Sequence, residues 1–473
     1  MKNAFYCLLF LSLVFFAVVS QAQEEQKTNR DNQKVDGYKG IWFTLGQFSE
    51  YGDKYSGGLG TYTAKHIPLA VYAPEVDKTF FVYGGTTGEK DRYLLCMIGC
   101  YDHKTDEVVK PTIVYDKKGV NDPHDNPSLC ITPDGYLWVF VSGRGRTRPG
   151  FKFRSTKPYD IESFEQITEE EMTYPQPKYV PGKGFLHLFT KYTGVRLLFF
   201  ETSPDGVNWS EDVPLVAMKR EGDRNGGHYQ ISGQSGEKIV FFFNWHPNGN
   251  VDLRTNIYYL QTTDFGKTWT DAKGTAIPIP VTDIDSPALV REFFSRKINV
   301  YIKDVDFDEN DHPVALYVSG AGHQPGPKNG PRTWSVIRWT GTEWVTHDIT
   351  QSDHNYDSGS LWITPEKWIV IGPTDDRPQQ WGAGGELVLW ESTDKGKTWN
   401  RAKQITDKSP RNHNYVRKVV NGKAPFQFFW ADGNPGGFGK SDLYFGDFDG
   451  NVRRLPYEMK NDREKPAVRE TIE

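Results

Sequence analysis

The sequence predicts an all-β fold, a single seven-bladed β-propeller with four-stranded antiparallel blades, and three observations predict it. Aromatic residues make up 14% of the chain beside 46 glycines and 29 prolines, the composition of many short strands joined by tight turns. Three segments carry an aspartate-box pattern, Ser/Thr-x-Asp-x-Gly-x-x-Trp: Thr262–Trp269, Ser392–Trp399 and the one-residue-shorter Ser203–Trp209. Their tryptophans lie 60 and 130 residues apart, so the second interval holds two units. A longer unit recurs seven times: a His or Tyr, an apolar strand, a polar turn, then a strongly hydrophobic strand. Its openings are His66, His124, Tyr174, His228, Tyr301, His354 and His413, spaced by 50 to 73 residues. Repeats of that length with four strands each are the pattern of a propeller.

Taken from the N-terminus, the first element is an export signal. Lys2 precedes an apolar run from Ala4 to Val19, and Ser20-Gln21-Ala22 offers small residues at a cleavage point. Residues 1–22 are therefore expected to be removed, leaving a periplasmic or secreted protein. Residues 23–36 are polar and expected to be disordered. The propeller spans 37–460, and 461–473 reads as a charged tail. No later segment has the ~18 apolar residues that a membrane span needs.

Within the propeller, turns such as Asp134-Gly135 and Asn421-Gly422 sit where hairpin connections belong. In each aspartate box the Asp and Gly make a turn and the Trp fills space between sheets. The box is structural. Cys96, Cys100 and Cys130 have neither disulfide nor zinc spacing and read as buried small side chains. No cofactor and no metal set is predicted.

The net charge of −5 argues against a nucleic-acid partner. If each opening residue starts an innermost strand, the openings and the loops between second and third strands share one face. The aspartate boxes then fall on the other. The loops on the first face supply Arg144, Arg146, His246, Arg254, His323, Arg332, Asp375, Asp376 and Arg377, and Trp245 and Trp381 are candidates to stack on sugars. Five histidines at equivalent points of a ring, His66, His124, His228, His354 and His413, predict a ligand site on the axis. Guanidinium forks beside them favour an anionic ligand. The expected partner is an acidic polysaccharide or oligosaccharide, and the expected state is a monomer.

The segment Gly40–Gly85, the HDNPSL run at His124 and the NHNYVRKVV run at Asn412 resemble the BNR-repeat propellers of carbohydrate-degrading bacteria. The resemblance runs over nearly the whole mature chain and looks closest to glycoside hydrolase family 145, which removes α-L-rhamnose from glucuronic acid. It extends more distantly to the ulvan-lyase propellers, which cleave beside a uronic acid by β-elimination. The first resemblance implies one histidine near the GIWF motif, where this chain has Gln47, a residue unable to serve as acid or base. The second implies paired histidines, a tyrosine and an arginine. His124 and Tyr174 match two of these, while Arg144 and Lys191 stand at the other two.

The predicted catalytic set is thus His124, Tyr174, Arg144 and Lys191. The predicted substrate-binding set is His66, His228, His354, His413, Arg146, Arg377 and Gln47. Three readings stand open at this point. The leading one is hydrolysis of a rhamnose–uronate linkage; the others are β-elimination beside a uronate and binding without chemistry.

Overall fold

A computed structural model of the protein describes residues 29–58, 60–192 and 195–468. The predicted signal segment lies outside the described residues. Seven sheets follow one another along the chain, and their innermost strands are Ala70–Ala73, Pro127–Ile131, Thr173–Val180, Gln230–Ser235, Asn299–Phe307, Ser360–Ile363 and Asn412–Lys423. From each innermost strand the chain steps outward through antiparallel neighbours to complete a four-stranded blade. In the first blade the outermost position is split between Glu107–Val109 and Thr112–Asp116. Each innermost strand touches those of the two adjacent blades. The circle closes where the first and last pair in parallel, Val419 opposite Ala70 and Val420 opposite Val71. Closure leaves the ring without a free inner edge, the liability of open sheets.

The aspartate boxes lie between third and fourth strands, as the pattern requires. Thr262 Oγ1 accepts the Gly266 N–H at 2.9 Å, and Asp264 accepts the Thr268 N–H at 2.9 Å. The tryptophans then bridge blades. Trp269 of the fourth meets Phe200 of the third at 5.4 Å, and Trp209 of the third meets Phe140 of the second at 6.0 Å. Cys96, Cys100 and Cys130 are free and buried.

The described parts of both flanking segments, from residue 29 and up to residue 468, are held against the blades. Asn32 and Val35 donate backbone hydrogen bonds to Ile113 and Pro111 of the first blade at 2.7 and 3.0 Å. Arg463–Glu464 pairs with that blade's outer strand, and Ala467–Val468 pairs with the outer strand of the seventh. The outer strands present unpaired backbone groups, and almost any sequence can satisfy those.

A further segment matters for function. Gly40–Thr44 and Ser56–Gly58 form a small sheet with Gly439–Ser441 of the seventh blade. Between them, Phe48–Ser49 and Gly52–Asp53 make a short hairpin.

Candidate active site

Seven aromatic side chains, one from the entry to each blade, surround the axis. In chain order they are Tyr62, His124, Tyr174, Tyr229, Tyr301, Tyr356 and Tyr415, and all line one cavity of about 150 Å³. They touch edge to face around the ring: Tyr62 to His124 at 5.5 Å, Tyr174 to Tyr229 at 5.4 Å, Tyr301 to Tyr356 at 5.5 Å and Tyr415 to Tyr62 at 5.0 Å. His124 is the one histidine among them.

Local backbone irregularity aims several of these groups inward. The pairing register slips between Thr173 and Gln176, between Ile302 and Asp304, and between Asn414 and Arg417. These slips bracket Tyr174, Lys303 and Tyr415. A β-bulge re-aims the side chain it carries. Tyr174 and Tyr415 also take positive φ, 56° and 54°. For bulky residues that conformation costs roughly 1–3 kcal/mol, and such strain collects at functional sites.

The cavity is cationic. Lys54, Lys65, Arg144, Arg196, Arg254 and Lys303 line it, whereas among the described residues no aspartate or glutamate does. Asp122 and Asp252 neutralise Arg144 and Lys54. The other four have no ion-pair partner among the described residues. Lys65 and Lys303 donate to the carbonyls of Ile302 and Asn355 at 2.8 and 2.7 Å. Arg254 donates to the Tyr356 hydroxyl at 2.9 Å and lies 4.4 Å over the Tyr301 ring and 4.9 Å over the Tyr229 ring. Burial brings the Lys303 amine down to about 7 and Lys65 well below its ordinary value. Uncompensated buried positive charge is costly unless an anion joins it.

His124 stands in a directed chain of hydrogen bonds. Its Nδ1 contacts the Asp122 carboxylate, which fixes the N–H there, and its Nε2 accepts from the Tyr55 hydroxyl at 2.5 Å. Burial lowers its pKa, against the pull of Asp122. It is therefore neutral at neutral pH. Beyond it, Tyr192 donates to the Tyr174 hydroxyl at 3.1 Å, with Tyr229 Oη 3.5 Å from Tyr192. Burial and the adjacent phenols hold Tyr174 far above the ordinary phenol value. Burial also pushes Tyr229 up, but the Arg196 and Arg254 guanidiniums override it and leave Tyr229 below that value.

Of the predicted residues, His124, Tyr174, Arg144 and Gln47 line the cavity. Lys191 does not: its amine pairs with Asp212 on the outer part of the third blade. The cation at the mouth from that blade is Arg196, five residues later. The other four ring histidines are also absent from the lining. His66 donates to the His124 carbonyl at 3.0 Å and His228 to the Asn244 carbonyl at 3.1 Å. His354 meets the Asp53 carbonyl at 3.4 Å, and His413 accepts from Trp430 Nε1 at 2.9 Å. They tie chain segments together outside the cavity lining. Arg146 is largely exposed near Glu171, and Arg377 is bound to Asp353 at 2.8 Å away from the cavity. Trp245 is fully buried and unavailable for stacking, while Trp381 packs on Tyr51 at 5.9 Å. The missed residues carry a readable signal, because Tyr229, Tyr356 and Tyr415 follow His228, His354 and His413 by one or two positions.

A family model described as "BNR repeat-containing family member" matches residues 91–352. An ulvan lyase of the PL25 class from Pseudoalteromonas sp. (strain PLSV) is 22% identical over 320 residues. That match spans 61% of this chain and 64% of the enzyme, just under two thirds of its length. An ulvan lyase from Alteromonas sp. (strain LOR) is 21% identical over 390 residues, 72% of this chain and 77% of that enzyme. Among solved structures, a PL25 ulvan lyase superposes with a TM-score of 0.69 at 17% identity, covering 88% of this chain and 96% of its own. A PL25 ulvan lyase bound to -[GlcA(1-4)Rha3S]- gives 0.69 at 18% identity, covering 85% and 96%. At such identity these superpositions speak to the fold, and the fold they share is the propeller.

Proposed function

Given that the chain belongs to the BNR repeat-containing family, whose model covers more than half of it, we propose that it is a polysaccharide lyase cleaving beside a uronic acid by β-elimination. The observation that carries this reading is the cavity lining, rich in buried cations and phenols and, among the described residues, free of carboxylates. Ordinary glycoside hydrolysis places two carboxylic acids across the bond, and none of the described residues brings one to this cavity. The hydrolytic reading suggested by the glycoside hydrolase family 145 resemblance is accordingly the weaker one. The likeness to two ulvan lyases supports elimination.

The chemistry follows from the geometry. Arg254 and Arg196, which have no ion-pair partner among the described residues, take the uronate carboxylate and lower the cost of negative charge at the adjacent carbon. The Tyr55 oxygen accepts the proton from that carbon while its own proton passes to His124 Nε2, and Asp122 stabilises the imidazolium. The C–H electrons form the new double bond, the bond to the leaving glycosidic oxygen breaks, and Tyr174, held protonated, supplies that oxygen's proton. The products are an unsaturated uronate and a free hydroxyl, with no water consumed. Export, expected from the N-terminal segment, would place the enzyme where such polymers are met.

The test is absorbance of the unsaturated uronate during incubation with a -[GlcA(1-4)Rha3S]- polymer. A signal from the wild type that His124→Ala abolishes supports the reading. Release of free sugar without that absorbance contradicts it.

A further inference from the structure

The segment between residues 45 and 55 crosses the mouth of the ring. Its Tyr55 bonds to His124 of the second blade, Lys54 pairs with Asp252 of the fourth, and the Asp53 carbonyl meets His354 of the sixth. One short segment that reaches the second, fourth and sixth of seven blades must pass over the axis. It is internally braced as well. The Asp53 carboxylate accepts the N–H groups of Gly46 and Gln47 at 3.2 and 3.0 Å, and the Lys54 N–H reaches the Gln47 carbonyl at 3.0 Å. Tyr51 at the hairpin tip packs against Trp381 of the sixth blade. Hydrogen bonds, an ion pair and an aromatic contact thus hold a bar across the opening.

The consequence is spatial. The cavity beneath the bar holds about 150 Å³, below the roughly 300–1,000 Å³ of sites for drug-sized ligands. A polymer lying across an open funnel would have to occupy the space of Lys54 and Tyr55, a conflict that a chain end entering beside them would not meet. We propose that this strap makes the enzyme exo-acting, so that it trims a terminal unit rather than cutting within the chain, with Tyr51 and Lys54 as the residues that hold the strap in place. The inference rests on the lyase reading.

The experiment follows the full-length protein on the -[GlcA(1-4)Rha3S]- polymer, with unsaturated-uronate absorbance and polymer size by gel filtration read on the same samples. The expected result is rising absorbance with one small product from the earliest time, while the polymer peak shifts little. A broad ladder of intermediate oligosaccharides at a few per cent conversion would overturn the inference and leave the lyase reading intact. Absence of any unsaturated product would remove both. The double variant Tyr51→Ala, Lys54→Ala should shift the product pattern toward that ladder by severalfold. An unchanged pattern in a variant that still folds and eliminates would show that the strap does not set the mode of cleavage.

Discussion

The hydroxyl of Tyr55 lies 2.5 Å from Nε2 of His124, joining the N-terminal strap to the second blade at the centre of the ring. With Asp122 on the other imidazole nitrogen, the three form a line along which a proton can move without any residue changing place.

Tyr55→Phe keeps the ring and loses only the oxygen, so it isolates the chemistry. Positioned acid–base groups contribute about 10²–10⁴-fold. The expected result is a fall in kcat of at least about 100-fold, with KM changed severalfold at most. Asp122→Asn should reproduce much of the loss, since an amide no longer fixes the imidazole N–H or stabilises its charged form. Steady-state assay of unsaturated product checks both.

Arg196→Ala and Arg254→Ala should weaken binding of the acidic substrate. Removing one member of a buried charged contact costs about 2–5 kcal/mol, or about 30-fold and more in affinity. A methyl-esterified substrate should lose affinity for the wild type to a similar degree and lose little further in either variant. Competition against the free-acid oligosaccharide measures that coupling.

Lys191→Ala, by contrast, should leave kcat/KM within about twofold, because the amine is engaged by Asp212 outside the cavity. A large loss would mean that Lys191 reaches the substrate after all.

Stability should decline in mild acid. Burial holds His66 and His228 at about 3 and His354 at about 4, below the ordinary 6.5. Between those values and 6.5 the unfolded chain binds protons that the folded one does not. Stability therefore rises with pH through the window and is lost as pH falls from 6.5 toward 4, by up to about 1.4 kcal/mol per pH unit for each such group. Urea unfolding at pH 7 and pH 5 measures the difference. Replacing His228 by Gln should flatten the slope by about one proton.

The blade count and the sidedness of the propeller were legible because turn chemistry is local: the Asp264 and Gly266 pattern demands the same turn wherever it occurs. The identity of the inward groups was less so. Histidine has the chemistry that draws attention, yet His228 and its neighbour Tyr229 separate, the histidine turning to the Asn244 carbonyl and the tyrosine to the axis. At Tyr174 and Tyr415, slips in pairing register and left-handed backbone overrule the simple alternation of a strand. Sequence period cannot announce a bulge. Nor could spacing show that Lys54 and Tyr55, far in chain order from the second and fourth blades that they contact, cross the mouth.

The most direct test of the central claim is the mass of the products made in H₂¹⁸O from a defined acidic oligosaccharide. Elimination predicts one fragment lighter by a water than its hydrolytic counterpart, with no ¹⁸O in either fragment. Fragments of full hydrolytic mass carrying the label would contradict it.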